Sequence, residues 1–102
     1  LMFQKKIPVA VLAATGAVGQ RFIQLLENHP WFEIVAVTGS ARKTGKKYGE
    51  ICNWTLPTEI PRKIRELKIL PSVPEKVNTP LVFSALPALD AKEIEPVFAQ
   101  AG

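Results

Sequence analysis

Ala13-Ala14-Thr15-Gly16-Ala17-Val18-Gly19 is a turn of small residues with a chemical use. Apolar residues precede it and an amphipathic stretch follows, so it lies where a strand would turn into a helix. The N-terminus of a helix offers free N–H groups and the positive end of a dipole, and both attract a phosphate. In the dinucleotide fingerprint G-x-G-x-x-G, the middle glycine lets the backbone approach a pyrophosphate and the last lets the helix pack on the strand. Gly16 and Gly19 keep that spacing, while the first glycine position holds Ala14. The plain alternative is a tight turn whose glycines serve packing only. A GxxG set between an apolar strand and an amphipathic helix favours the phosphate reading.

A second signal follows the next apolar run. NAD-binding folds usually place Asp or Glu at the end of that strand, on the ribose 2′-hydroxyl. Here the segment is Thr38-Gly39-Ser40-Ala41-Arg42-Lys43, without an acid. A hydroxyl and two cations in that place suit a 2′-phosphate, so the sequence predicts NADP over NAD. Arg42 offers fork geometry to phosphate oxygens and Lys43 a point charge. Arg42, Lys43, Lys46 and Lys47 put four of the 13 basic residues within six positions, with no acid between Glu33 and Glu50. The alternative is a solvated basic loop. Ser84-Ala85-Leu86-Pro87 closes a third apolar run, where ligands gather beyond strand ends in open α/β sheets. An ordinary turn there reads equally well. Cys52 would need a neighbouring base or cation to act as a nucleophile. The single histidine, His29, cannot be tied to it. Tyr48 and Trp54 read as packing residues.

The elements that must hold these groups follow from periodicity. Residues 7–12 are apolar on both side-chain parities, as in a strand covered on both faces. A helix is predicted over 17–28, with Val18, Phe22, Leu25 and Leu26 on its apolar face and Pro30 ending it. A second buried strand is predicted over 33–38, making a βαβ unit. Residues 39–66 read as irregular, with a helical turn over 60–67 and a short strand over 67–70. Pro71 and Pro74 bound another loop, and a third buried strand is predicted over 80–86. A last helix is predicted over 90–101, capped by Asp90 with Glu93 three residues on, bent at Pro96 and closed by Gly102.

The bounds set by size and composition agree. The 102 residues allow one small domain, which buries only about 60–65% of its unfolded surface. A hydrophobic content of 47% argues against a disordered chain. No apolar run reaches the ~18 residues of a membrane span, and no signal peptide is visible. One cysteine and one histidine argue against a disulfide framework or a zinc site and suit the reducing cytoplasm. The basic residues lack interleaved aromatics, so nucleic acid is a poor partner. Two helices cover three buried strands thinly, which points to a fragment of a larger protein or a sheet buried against a partner. The expected class is therefore α/β: a truncated, Rossmann-like three-layer fold with a mostly parallel sheet.

Several segments together resemble the N-terminal coenzyme domain of the aspartate-β-semialdehyde dehydrogenase family. They are the run from Val9 through Thr15-Gly16-Ala17-Val18-Gly19 to Gln20, Ser40 to Lys46, Lys47-Tyr48-Gly49-Glu50, Ser84 to Pro87, and Glu95 to Ala99. The likeness covers nearly the whole chain. It implies that residues 1–102 are the N-terminal part of an NADP-binding Rossmann-type domain, without the catalytic and dimerisation domain. It further implies an NADPH-dependent enzyme that interconverts aspartyl phosphate and aspartate semialdehyde in the biosynthesis of lysine, threonine, methionine and isoleucine. Thr15, Gly16, Ala17, Val18 and Gly19 would then meet the cofactor phosphates. Ser40, Arg42 and Lys43 would lie near the 2′-phosphate, and Ser84, Ala85, Leu86 and Pro87 near the rest of the cofactor. The family's cysteine nucleophile and histidine acid/base have no match here, and Cys52 does not fit that motif. The family is a homo-oligomer, typically a dimer whose contacts come mostly from the other domain. Two positions depart from the pattern: Ala13 stands where the family usually has Gly, and Lys43 where it often has Ser. If residue 13 takes positive φ, Ala costs about 1–2 kcal/mol there. A malonyl-CoA reductase, an enzymatic neighbour of this family, and a non-catalytic nucleotide-binding or redox-sensing module are the competing readings.

Overall fold

The computed structural model describes residues 5–102. The chain runs β1 (Ile7–Leu12), α1 (Ala17–Leu26), β2 (Phe32–Val37), a 3₁₀ turn (Ala41–Lys43), α2 (Tyr48–Ile51), α3 (Arg62–Arg65), α4 (Pro74–Val77), β3 (Leu81–Ser84) and α5 (Ala88–Ala101). The three strands are all parallel, in the order β2-β1-β3. Their carboxyl ends, Leu12, Val37 and Ser84, therefore lie at one end of the sheet.

β1 is central because its sequence is the most apolar on both faces. Val9, Ala10, Val11 and Leu12 are fully buried. Val11 packs with Ala14, Ile23, Val37, Tyr48, Ile64 and Ile69 on the α1–α2–α3 side. Ala10 and Leu12 pack with Ala36, Val77, Val82 and Phe98 on the α4–α5 side. These are the three layers expected of the sequence. Burial is weaker at the sheet edges: the first half of β2 alternates between half-buried and exposed, and α5 buries no residue fully.

Four local expectations are corrected. The fully buried face of α1 is Gly19, Gln20 and Ile23; of the expected apolar face Phe22 and Leu26 are half-buried, whereas Val18 and Leu25 are 58% and 63% exposed. The cause lies at Gly19: a Cβ there would meet the Ala13 oxygen and the Ala14 Cα at 2.6 Å. That close approach fixes the rotation of α1 on the sheet. Second, α1 ends at Leu26 before Pro30 acts, with Asn28 in the left-handed region at φ 59°. Third, α5 begins at Ala88 with Pro87 at the N-cap. Asp90 thus sits inside the first turn, where its charge still suits the dipole, and does not cap. Fourth, the strand expected over 67–70 shrinks to two bridges, Leu70 beside Thr38 and Lys68 opposite Lys47. Pro71 has no N–H to extend that ladder. The loop bounded by Pro71 and Pro74 leads directly into a helical turn, α4, because proline is well placed at a first helical position.

Candidate functional site

The chain leaves β1 for β2 on one side and returns to place β3 on the other side of β1. Between β1 and β3 the sheet therefore has a switch point, and open α/β sheets bind ligands just outside the strand ends at such a point. The turn 13–16 leaves β1 at this end and leads directly into α1.

The turn is tied down from three sides. Ala13 has φ 56°, the left-handed region that the Gly-to-Ala departure makes costly. Its N–H donates to the Thr38 Oγ1 at 3.0 Å, and the Ala14 N–H donates to the Thr38 carbonyl at 2.9 Å. Thr38 is fully buried and shares a hydrogen bond with the Ser72 hydroxyl at 2.6 Å. The Tyr48 phenol donates to the Ala14 carbonyl at 2.7 Å, and the Gln20 Nε2 donates to the Thr15 carbonyl at 2.9 Å. The Cys52 thiol approaches the same Thr15 carbonyl at 3.7 Å.

What remains free is the outer side. Among the described residues, the N–H groups of Thr15, Gly16, Ala17, Val18 and Gly19 donate no hydrogen bond of good geometry. Gly16 is the N-cap of α1 and supplies no side-chain cap. A Cβ on Gly16 would meet nothing within 4 Å, so the turn faces open space there. Five undirected donors at the positive end of a ten-residue helix fit an anionic group without further help.

The basic segment comes to the same place. Ser40 precedes the 3₁₀ turn that carries Arg42 and Lys43, just past the end of β2. The Lys43 Nζ donates to the Thr15 Oγ1 at 2.9 Å, which joins the two segments. Arg42 is exposed and makes no hydrogen bond or ion pair among the described residues. The four-residue cluster does not act as one: Lys47 turns away to Glu66 at 2.9 Å, a pairing that raises the lysine pKa and lowers the carboxylate's.

The third segment is placed differently. Ser84 ends β3 beside Leu12, and the Ala85 N–H donates to the Leu12 carbonyl at 3.0 Å. The Ser84 hydroxyl donates to the Glu95 Oε2 at 2.5 Å and accepts from the Leu86 N–H at 3.4 Å. Its side chain is thus engaged with α5, while the backbone of Ala85, Leu86 and Pro87 lies near the end of β1.

Neither Cys52 nor His29 is arranged for catalysis. Burial pushes the Cys52 thiol above its ordinary pKa, although Tyr48 and Lys43 pull the other way. His29 follows the far end of α1, ten residues and about 15 Å of helix away. Its Nδ1 accepts the N–H groups of Trp31 and Phe32 at 3.0 and 3.3 Å, a structural use.

Sequence reasoning missed Thr38, Tyr48 and Gln20 as part of this site. Gln20 reads as a polar helix residue, yet it is only 3% exposed. A signal existed: Gln20 lies one turn after Gly16, in phase with Gly19 and Ile23 on the face that must meet the sheet.

Comparison with known proteins agrees with this geometry. The family model described as semialdehyde dehydrogenase, NAD binding domain, matches residues 8–102. The aspartate-semialdehyde dehydrogenase of Archaeoglobus fulgidus is 48% identical over 94 residues, covering 92% of this chain and 27% of that protein. The same-named protein of Methanothermobacter thermautotrophicus is 46% identical over 95 residues, again covering 92% and 27%. The crystal structure of aspartate semialdehyde dehydrogenase with NADP from Candida albicans matches with a TM-score of 0.89 at 39% identity, over 95% of this chain and 28% of that one. The chain spans little more than a quarter of the length of these relatives. With a parallel sheet, an open helix N-terminus at its switch point and a family match over nearly all residues, this chain belongs to the semialdehyde dehydrogenase NAD-binding domain family.

Proposed function

We propose that residues 1–102 are the coenzyme-binding part of an NADPH-dependent aspartate-semialdehyde dehydrogenase. The observation that carries this is the convergence of two anion-binding features, the free N–H groups of 15–19 and the cationic turn at 42–43, bridged by Lys43 and Thr15 at 2.9 Å. Thr15, Gly16, Ala17, Val18 and Gly19 would hold the pyrophosphate. Ser40, Arg42 and Lys43 would hold the ribose 2′-phosphate, with Lys43 exchanging its Thr15 partner for phosphate oxygens. The backbone of Ser84, Ala85, Leu86 and Pro87 would border the cofactor at the end of β3. When bound, NADPH supplies the hydride that reduces an acyl group to an aldehyde.

The chain's own contribution is binding and orientation. Burial pushes the Cys52 thiol above its ordinary pKa and His29 accepts backbone N–H bonds beyond the far end of α1, so neither is arranged as nucleophile or acid/base. In the whole enzyme those groups come from outside these residues. The substrate pair is then aspartyl phosphate and aspartate semialdehyde, the reaction supports amino-acid biosynthesis in the cytoplasm, and the assembly is a homo-oligomer. No helix of the described residues is long and apolar enough to cross a membrane.

The test is turnover by the whole enzyme. Reduction of NADP with aspartate semialdehyde should require inorganic phosphate. NADPH oxidation driven by malonyl-CoA instead would assign the malonyl-CoA reductase reading. Dinucleotide binding without turnover of either substrate would assign a non-catalytic module.

A further inference from the structure

A trans peptide points its C=O and the following N–H in opposite directions within one plane. A carbonyl fixed inward therefore fixes the next N–H outward. In the turn after β1, the inward carbonyls are those of Ala14 and Thr15. The next N–H groups are those of Thr15 and Gly16, two of the free donors of the candidate site. The partners that hold the carbonyls are chiefly two side chains, the Tyr48 phenol at 2.7 Å and the Gln20 amide at 2.9 Å, with the Cys52 thiol a weak third donor to the Thr15 carbonyl at 3.7 Å. We propose that Tyr48 and Gln20 are positioning residues for the cofactor, setting the outward direction of the Thr15 and Gly16 N–H groups. The proposal rests on the dinucleotide-binding reading above and deepens it.

Both side chains are built for the task. Tyr48 is fully buried at the start of α2, which anchors it through the Tyr48 N–H to Leu67 carbonyl bond at 2.8 Å. Burial, reinforced by the Cys52 thiol, holds the phenol well above its ordinary pKa, so it stays a donor at every physiological pH. Gln20 has no freedom to rotate. Its Nε2 also donates to the Asn53 carbonyl at 3.0 Å, and its Oε1 accepts the Thr55 N–H at 2.9 Å and the Thr55 hydroxyl at 3.2 Å. This buried amide thus joins α1, the turn and residues 53–55. Without these donors, either carbonyl could rotate toward solvent and turn its paired N–H away from the phosphates. Neither residue needs to touch the cofactor for this to hold.

The experiment uses the whole enzyme and measures Kd for NADP and NAD by calorimetry, with thermal unfolding alongside. Tyr48→Phe deletes one donor and keeps the ring. It should weaken both dinucleotides about fivefold and leave their ratio unchanged, because the pyrophosphate is common to both. Gln20→Glu replaces the donor with an oxygen that repels the Thr15 carbonyl. Its penalty relative to the parent should be about tenfold at pH 8 and shrink as pH falls and the carboxyl regains a proton to donate. A third reading needs no variant. In the free parent, the Thr15 and Gly16 amides should exchange quickly and become protected only when dinucleotide binds.

Variants that melt lower yet bind within twofold of the parent would make both residues merely structural and overturn the proposal. Amides already protected in the free protein would overturn it as well. A parent that binds neither dinucleotide would defeat the functional reading itself. A parent that binds, with variants that match it, would defeat only this proposal.

Discussion

Ala13 shows how one side chain can oppose a site that the rest of the chain supports. Its φ of 56° is a conformation that costs an L-residue about 1–2 kcal/mol, and two bonds to Thr38 hold it there. Ala13→Gly relieves the strain but adds freedom to the unfolded chain. The expected net effect is a stabilisation of up to about 1 kcal/mol in denaturant unfolding, with the turn unchanged. A destabilised variant would mean that the Ala methyl packs usefully. Tyr48 and Cys52 make a second residue-scale prediction. Burial raises both pKa values, so the folded state holds protons that the unfolded chain releases first. Their contribution is fully present below about pH 8.5–10, the ordinary thiol-to-phenol range, and is lost as pH rises beyond it. Thermal unfolding should show the parent losing stability above about pH 10 more steeply than Tyr48→Phe. Parallel curves would contradict the buried phenol.

At the scale of elements, α1 does most to shape the site, and its placement depends on Gly19. The added Cβ of Gly19→Ala would meet backbone atoms of Ala13 and Ala14 at 2.6–2.7 Å, and backbone cannot step aside as a flexible side chain can. A loss of about 2 kcal/mol and at least tenfold weaker dinucleotide binding are expected, read by unfolding and calorimetry. Retained affinity would show that the turn tolerates a shift of α1. The same helix marks the limit of sequence reading. Strand, turn and helix were legible from apolar runs and the GxxG spacing, because those are local patterns. The buried face of α1 was not, because the glycine contact overrides the apolar stripe through Val18 and Leu25. The start of α5 was missed for a related reason. Asp90 looks like a cap, yet the helix begins at Ala88 with no side-chain cap at all. The helical turns α2, α3 and α4 span four residues each and show no full period in sequence. Their positions are set by what Tyr48, Ile64 and Val77 bury.

Across the whole molecule, the parallel order β2-β1-β3 gathers the site from segments far apart in the chain. The proposed cofactor segments at 15–19 and 40–43 stand out in the sequence because the fingerprint and the missing acid are local features. Their bridge and the hold of Tyr48 on Ala14 arise only when residues 28 and 34 positions apart meet, and Gln20, five positions from Thr15, is fixed by partners 33 and 35 positions away. We propose that this sheet end binds NADP through a 2′-phosphate held by Arg42 and its neighbours. The direct measurement is a calorimetric titration of NADP and NAD against the parent and Arg42→Ala. The parent should bind NADP at least tenfold more tightly than NAD, and Arg42→Ala should lose most of that gap by weakening NADP alone. Equal affinities in the parent, or a gap that survives Arg42→Ala intact, would contradict it.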